Sequence, residues 1–349
     1  MNKRPLLYIV ISATLFGLSP PLAKILIKDI HPLAMAGLLY LGAFCGLAMY
    51  SIFKTILTSD KATDNNLKRK DLPWLFGAIL SGGIFAPICL MFGLSKISGF
   101  TTSLLLNLEG VFTALIAVIA FKENAGKKVW LALACMTCAG VFLAWDSTQS
   151  RFNLIGPFLI TLAMLGWGID NNLTRNISMR NPVQVTIVKG FISGIVSIIL
   201  SYAVGSHIKF NMTTVYALML GSLSYGLSLV FFIKALEGLG SFRTGVFFSL
   251  APFIGAFISL VVLREWIGWV IFPAVILTAI GFWLMSTEEH EHLHHHKEEA
   301  HAHSHKHDDN HHFHEHDTII QEPHVHRHYH PERKHIHSHW PDSHHRHEH

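Results

Sequence analysis

The sequence predicts an all-α integral membrane protein, with ten transmembrane helices arranged as two inverted five-helix repeats and a histidine-rich tail behind them. Three observations carry that prediction. First, the 349-residue chain is 50% hydrophobic and only 14% charged, whereas soluble domains hold nearer a quarter of their residues as charge. Second, ten apolar stretches reach the roughly 20 residues a helix needs to cross a bilayer core, where each backbone polar group must be satisfied internally. Third, the stretch Phe242 to Glu265, FRTGVFFSLAPFIGAFISLVVLRE, has an ungapped echo 142 positions earlier in Phe100 to Glu123, FTTSLLLNLEGVFTALIAVIAFKE. Both copies end in a basic-acidic pair, Lys122-Glu123 and Arg264-Glu265, and a glycine follows each, Gly126 and Gly268.

Taken in order, the first five spans are 5–27, 32–54, 72–95, 101–121 and 128–146. Pro20-Pro21 interrupts the first, and Pro32 opens the second, where a proline costs no hydrogen bond. The third carries Gly77, Gly82, Gly83 and Pro87, the fourth Glu109, and the fifth Cys135 and Cys138. The second five are 154–173, 183–204, 213–236, 243–263 and 266–286. They carry Trp167-Gly168 and Asp170-Asn171-Asn172, then Lys189 behind Pro182, then Gly221, Ser222, Ser224 and Gly226, then Pro252. Small residues of this kind let helix backbones approach closely in lipid. The entries of the two halves also correspond. GLSPPLAK and GIDNNLTR place Gly17 and Lys24, and Gly168 and Arg175, at equal spacing. Five spans is an odd number, so the second copy faces the opposite way across the membrane, a recurring plan in secondary transporters. The expected domains are 1–148, 149–287 and a tail at 288–349.

Charge is segregated between body and tail. Residues 1–287 hold 10 acids and 21 Lys/Arg, whereas residues 288–349 hold 13 acids and 6 Lys/Arg. The pI of 8.8 therefore sums two unlike objects and implies no nucleic-acid partner. Short loops on one side collect fourteen Lys/Arg against six on the other, which by the positive-inside rule puts both termini in the cytoplasm of a multi-pass protein of the cell membrane. Cys45, Cys89, Cys135 and Cys138 fall in apolar runs, against an extracellular disulfide framework. The first apolar run continues past signal-peptide length and reads as a membrane helix.

The Trp-Gly entry at Trp167-Gly168 with Arg175 seven residues on, the turn at Leu250-Ala251-Pro252, the terminal Glu123 and Glu265, and the five-plus-five layout resemble the EamA family of the drug/metabolite transporter superfamily. The resemblance covers residues 5–286 and implies a ten-helix inverted-repeat carrier that moves small solutes, often outward. The sequence departs from the family pattern at Phe16, where tryptophan is usual, and at Glu109-Gly110, opposite Ala251-Pro252.

Ionisable groups deep in a span are expensive and need a partner or a wet cavity. Glu109, Asp170 and Lys189 qualify, with Asn171 beside them. They are candidates for the lining of a substrate cavity in which Glu109 or Asp170 takes up a proton as substrate leaves. The alternative is a structural Asp–Lys pair, or a polar helix end for Asp170. Helix breaks at Pro20-Pro21, Pro87 and Pro252 free backbone groups for binding or only kink the helix. Tyr225, Phe231 and Phe232 are stacking candidates that also fit plain packing. The Cys135-to-Cys138 CxxC lies on one helix face, where soft ligands could meet a metal or cysteine could simply pack. His31 and His207 read as loop residues.

Residues 290–349 contain 24 of the 26 histidines. Alternating runs place His301, His303, His305 and His307, then His324, His326, His328 and His330, then His335, His337 and His339 two apart. In an extended chain such neighbours share a face, and neutral imidazole suits Zn, Ni, Co and Cu. With few apolar residues to build a core, the tail is expected to be disordered without metal. No cofactor is required. The function these features point to is secondary active export of a small solute by a monomer or homodimer. A divalent transition metal is the leading candidate, with an amino acid, organic metabolite or drug as the alternative. A metal-sensing membrane protein without flux is the third possibility. No clustered nucleophile and base stand in the spans, so an enzyme is not expected.

Overall fold

The computed structural model describes residues 3–58, 66–121, 127–146, 151–152, 154–177, 180–248, 250–265, 268–269 and 271–287, and in the tail 290–296, 299–305, 324–330 and 333–339. These fall into two units, Met1–Glu288 and Glu289–His349.

The first unit is a helical body. In chain order it comprises α1 (Lys3–Gly17), α2 (Ser19–Leu26), α3 (Pro32–Thr58), α4 (Leu72–Ala78), α5 (Ala86–Lys96), α6 (Gly99–Leu105), α7 (Leu108–Phe121), α8 (Lys127–Ala144), α9 (Ile155–Arg175), α10 (Pro182–Ala203), α11 (Met212–Gly221), α12 (Ser228–Phe248), α13 (Ala251–Val262) and α14 (Ile271–Ser286). A two-residue bridge, β1 (Trp145–Asp146) with β2 (Arg151–Phe152), follows α8. Among the described residues, six helical stretches are long and apolar enough to cross a membrane: Arg4–Leu26, Pro32–Ile56, Arg69–Lys96, Gly99–Ala120, Pro182–Ala203 and Met212–Ala235. Shorter apolar helices cover Trp130–Phe142, Ala251–Val262 and Phe272–Leu284. Large apolar side chains such as Ile52, Phe53, Ile199, Phe257 and Trp283 point outward, as they do on a surface solvated by lipid rather than water. Met35, Leu39, Met91, Leu94, Phe100, Ile160 and Met164 fill the interior.

Two kinds of irregularity recur. Between α4 and α5 the helix widens to an i→i+5 bonding pattern over Ile79–Phe85, and between α11 and α12 it does so over Ser222–Leu227. The fourth expected span breaks between Leu105 and Leu108, and the ninth between Phe248 and Ala251. Each of these boundaries in the second half, Ser222, Phe248 and Ala251, lies 143 positions after its counterpart at Ile79, Leu105 and Leu108. That is within one residue of the displacement of the sequence echo.

Packing follows the same correspondence. α3 lies against α10, α6 against α13, α8 against α14, α1 against α12 and α5 against α9. Close glycine approaches give directions. Gly37 meets Gly194 and Ile198, while Tyr40 and Phe44 meet Gly190, so α3 and α10 run antiparallel. Gly99 meets Ser259 and Leu263, while Gly255 meets Ser103, so α6 and α13 do too. Lys128 Nζ donates to the Thr287 carbonyl at 2.6 Å, and Gly281 meets Ala132 and Met136, which makes α8 and α14 antiparallel as well.

Besides these breaks, one expected interruption is missing. The loop anticipated between spans 213–236 and 243–263 is instead part of one continuous helix, α12. Glycine lowers helix propensity without forbidding the helix, and Gly238 and Gly240 do not end this one.

In the tail unit the described residues form four strands. β3 (His290–His296) pairs antiparallel with β6 (Arg333–His339), and β4 (Glu299–His305) with β5 (His324–His330). The period-two alternation of histidine is the pattern of a strand, and the registers set His292 opposite His337 and His303 opposite His326. His307 lies outside the described residues.

Candidate functional site

The body gathers its deep polar residues where α9, α10, α7 and the widened segment Ile79–Phe85 meet. α9 comes close because it carries glycines on that face. A Cβ at Gly168 would stand 2.9 Å from Phe112 Cβ and 3.1 Å from the Thr113 nitrogen, so only glycine lets α9 lie on the start of α7. Glycine at 82 is needed in the same way, since a Cβ there would collide with the Asp170 carboxylate.

Asp170 is 5% exposed. It accepts from Lys189 Nζ in an ion pair, and Thr174 Oγ1 donates to its Oδ1 at 3.1 Å. Glu109 stands in the first turn of α7, just beyond the break, where the exposed N–H groups and helix dipole favour a carboxylate. Asn171 Nδ2 donates to Glu109 Oε1 at 2.9 Å and to Thr113 Oγ1 at 3.1 Å. Asn172 donates to the Thr113 and Gly168 carbonyls at 3.0 and 2.8 Å, which fixes α9 against α7. Glu109 lies in electrostatic range of Asp170 and Lys189, and Tyr40 and Tyr225 in range of Glu109. The charge balance is uneven: Lys189 compensates Asp170, while the bonded partner of Glu109 is an amide.

The carbonyl of Gly82 ties this set together. In the i→i+5 pattern Ser81 O takes the Ala86 N–H, so the donor due to Gly82 O would be residue 87. That residue is proline and has no N–H. The orphaned carbonyl accepts instead from Tyr40 Oη at 2.7 Å and from Trp167 Nε1 at 2.9 Å, one from α3 and one from α9. Pro87 thus frees a backbone group, as the sequence suggested, but protein side chains occupy it. Either donor alone satisfies the oxygen. Tyr40→Phe and Trp167→Phe should therefore each lower stability by about 1 kcal/mol, and the double variant by more than the sum, because an unpaired buried carbonyl costs about 1–3 kcal/mol. Thermal midpoints of the purified protein check this.

Beside this set runs a chain of rings. Phe16 and Tyr225 centroids are 5.7 Å apart, Tyr40 and Tyr225 5.8 Å, Phe16 and Phe248 5.3 Å, and Phe232 and Phe248 5.0 Å. Tyr225, in the second widened segment, is part-buried and accepts weakly from Ser19 Oγ at 3.4 Å. Phe231 stacks on Tyr8 at 5.8 Å, and Lys234 Nζ lies 5.7 Å over the same ring.

The structure thus brings together Glu109, Asp170, Asn171 and Lys189, with Tyr225 adjoining. Pro252 stands apart in the first turn of α13, where its missing N–H costs nothing; the turn before it sets Ala251 against Gly17. Sequence reasoning missed Tyr40 and Thr113, neither of which stands out as an isolated letter, and noted Asn172 only as part of the polar run 170–172. The glycines at 82, 83 and 168 were the sequence signal that helices close in there.

Other candidates lie elsewhere. Cys135 is part-exposed and Cys138 exposed on α8. Among the described residues no group of three His, Cys, Asp or Glu is placed to hold a metal ion. His31 Nδ1 accepts from the Leu33 N–H at 3.4 Å beside Phe92, and His207 packs on Tyr202. The tail ligand candidates His301, His303, His305, His324, His326, His328, His330, His335, His337 and His339 lie on strands whose backbone alone is described, and Glu123 lies outside the described residues. A small pocket adjoins the break, lined by Leu105, Asn107, Met136 and Thr278 among others, and touches none of the ionisable cluster.

Comparison with known proteins adds the following. The sequence profile of the EamA-like transporter family matches residues 3–145 and again 154–287. An uncharacterized transporter of Methanothermobacter thermautotrophicus is 27% identical over 274 residues, covering 73% of this chain and 78% of its own. A crystal structure described only as that of a protein superposes with a TM-score of 0.57 at 14% identity, over 81% of this chain and 95% of its own. That likeness concerns the fold alone.

Proposed function

We propose that this chain, which belongs to the EamA-like transporter family, is a secondary active exporter built from two inverted five-helix halves, with both termini in the cytoplasm. Counterpart helices must run antiparallel if one half is inverted, and the pairings α3 with α10, α6 with α13 and α8 with α14 support this. Recurrence of both helix irregularities at one displacement supports the repeat itself.

The solute this site suits best is a small organic molecule with one positive charge and an aromatic or apolar body. The observation that carries the reading is the electrostatic imbalance at Glu109, whose carboxylate is met by an amide while its neighbour Asp170 is neutralised by Lys189. Uncompensated charge in a span marks a binding or proton site. The rings of Phe16, Tyr40, Tyr225 and Phe248 offer faces for the apolar body and for cation–π attraction. In this scheme Glu109 exchanges a proton for the substrate cation, and Asp170–Lys189 holds the cavity's geometry.

The tail favours a second reading, efflux of a divalent transition metal. Its imidazoles at spacings of two would collect Zn, Ni, Co or Cu beside the carrier. Flux assays in proteoliposomes under a proton gradient separate the two. Protonated aromatic amines, zwitterionic amino acids and divalent metal ions are compared, with and without residues 288–349. Amine flux that survives tail deletion supports the first reading, and metal flux lost with the tail supports the second. Absence of flux for every class would overturn both. Independently of transport, removing residues 288–349 should abolish the chain's retention on immobilised nickel.

A further inference from the structure

The third expected span is tied at both ends to distant parts of the chain. At its start, Arg180 Nε donates to Asp71 Oδ2 at 2.6 Å and Arg180 Nη2 to Oδ1 at 3.3 Å. Gln184 Oε1 accepts from the Leu67 N–H at 3.0 Å alongside. At its other end, Lys24 Nζ donates to the carbonyls of Leu94 and Ile97, at 2.7 and 2.6 Å. Gly99 and Phe100, which open the next helix, donate their N–H groups to Glu265 Oε1 and Oε2 at 3.1 and 3.0 Å. Gly82, at the polar cluster, lies midway between these ends.

The two fastenings differ in kind. Asp71–Arg180 joins side chain to side chain. The other joins α2, the end of α5, the start of α6 and the segment after α13, and uses backbone groups that helix ends leave unsatisfied. Glu265 also lies in electrostatic range of Lys24. Moreover, Arg264 has φ +53°, a left-handed conformation uncommon for a residue with a Cβ and a recognised place to store strain. The strain turns the chain back after α13 and delivers Glu265 to Gly99. A merely structural cap would more simply use glycine at 264.

We infer that Lys24 and Glu265 form a releasable clasp that closes the passage at the Lys96 end of the spans, and that Asp71–Arg180 is the fixed fastening at the opposite end. This rests on the carrier reading and adds to it the residues that time access to the site. Lys24 transmits the release, because its helix α2 begins at Ser19, whose hydroxyl touches Tyr225. Opening breaks the two carboxylate bonds and the two ammonium bonds together, and lets Arg264 leave its left-handed conformation.

The test uses the full chain reconstituted in liposomes, with Cys45, Cys89, Cys135 and Cys138 replaced by alanine and Ser19→Cys as the reporter. Ser19 is 3% exposed, so its labelling by a membrane-impermeant maleimide reports opening. Glu265→Gln should raise the labelling rate by about tenfold, since the amide keeps one acceptor oxygen for the two N–H groups of Gly99 and Phe100, its nitrogen being a donor, and the remaining bond loses charge assistance, which shifts the open population. Lys24→Met should act in the same direction. Arg264→Gly keeps every clasp contact and relieves the strain, so it should slow labelling by about fivefold. Labelling unchanged by Glu265→Gln, or accelerated by Arg264→Gly, would overturn the clasp. Should Glu265→Gln fail to fold, Arg264→Gly alone decides. The readout is thiol access rather than flux, so a negative result removes the clasp and leaves the carrier to be judged by the proteoliposome screen.

Discussion

Glu109→Gln is expected to reduce flux of a protonated amine by about thirtyfold while the protein keeps its helix content and thermal midpoint. The magnitude follows from the interaction lost. A hydrogen bond or ion contact to a charged group is worth about 2 kcal/mol, and each 1.4 kcal/mol is a factor of ten in affinity. The fold should not suffer, because glutamine can still accept from Asn171 Nδ2 as Glu109 Oε1 does. Two further measurements sharpen the result. A neutral isostere of the amine should be carried equally by both proteins, since only the charge term is removed. Glu109→Asp should recover part of the flux, as the charge returns but the shorter side chain draws the carboxylate back from Asn171. Equal loss for the charged and the neutral solute would mean that Glu109 shapes the cavity rather than binding the cation, and the substrate assignment would fall.

Much of this architecture could be read from the chain because lipid imposes blunt rules. Spans announce themselves by length and hydropathy, and the sequence echo of Phe100 to Glu123 in Phe242 to Glu265 is matched by helix boundaries recurring 143 positions apart. The glycines that allow close crossings, Gly17 and Gly168, were visible as the spacing partners of Lys24 and Arg175. What could not be read was partnership. A structural pair of Asp170 with Lys189 was one of two readings the sequence left open, because it does not give the angle at which α9 meets α10. Tyr40 was hidden for another reason. It looks like any apolar residue in α3, and its role arises only because Pro87 withholds a donor from Gly82 on a different helix. Lys24 and Glu265 were noticed as landmarks of the repeats, yet their bonds run to backbone atoms, which carry no letter. The tail's period of two was read as ligand spacing along an extended chain, since its composition offers no core.

Lys189→Met should be the most destabilising single change at the polar cluster, worse than Asp170→Asn, and the order of the two tests the geometry. Removing one member of a buried ion pair typically costs about 3–5 kcal/mol, because an uncompensated charge remains out of water. The two side chains here are only 15% and 8% exposed, so solvent cannot take over the missing partner. Their surroundings, however, are not symmetric. In Asp170→Asn the ammonium of Lys189 keeps Glu109 within electrostatic range, and part of the attraction is retained. In Lys189→Met two carboxylates, Asp170 and Glu109, face each other with no cation between them, and like charges in a confined site repel. The double variant Asp170→Asn with Lys189→Met removes both members of the pair and should recover most of the stability lost by either alone. Thermal midpoints of the four proteins in one detergent provide the cycle. Equal penalties for the two single variants would mean that Glu109 does not feel the pair. A double variant as unstable as the sum of the singles would mean that Asp170 and Lys189 serve separate partners, and that the imbalance from which the substrate charge is inferred does not exist.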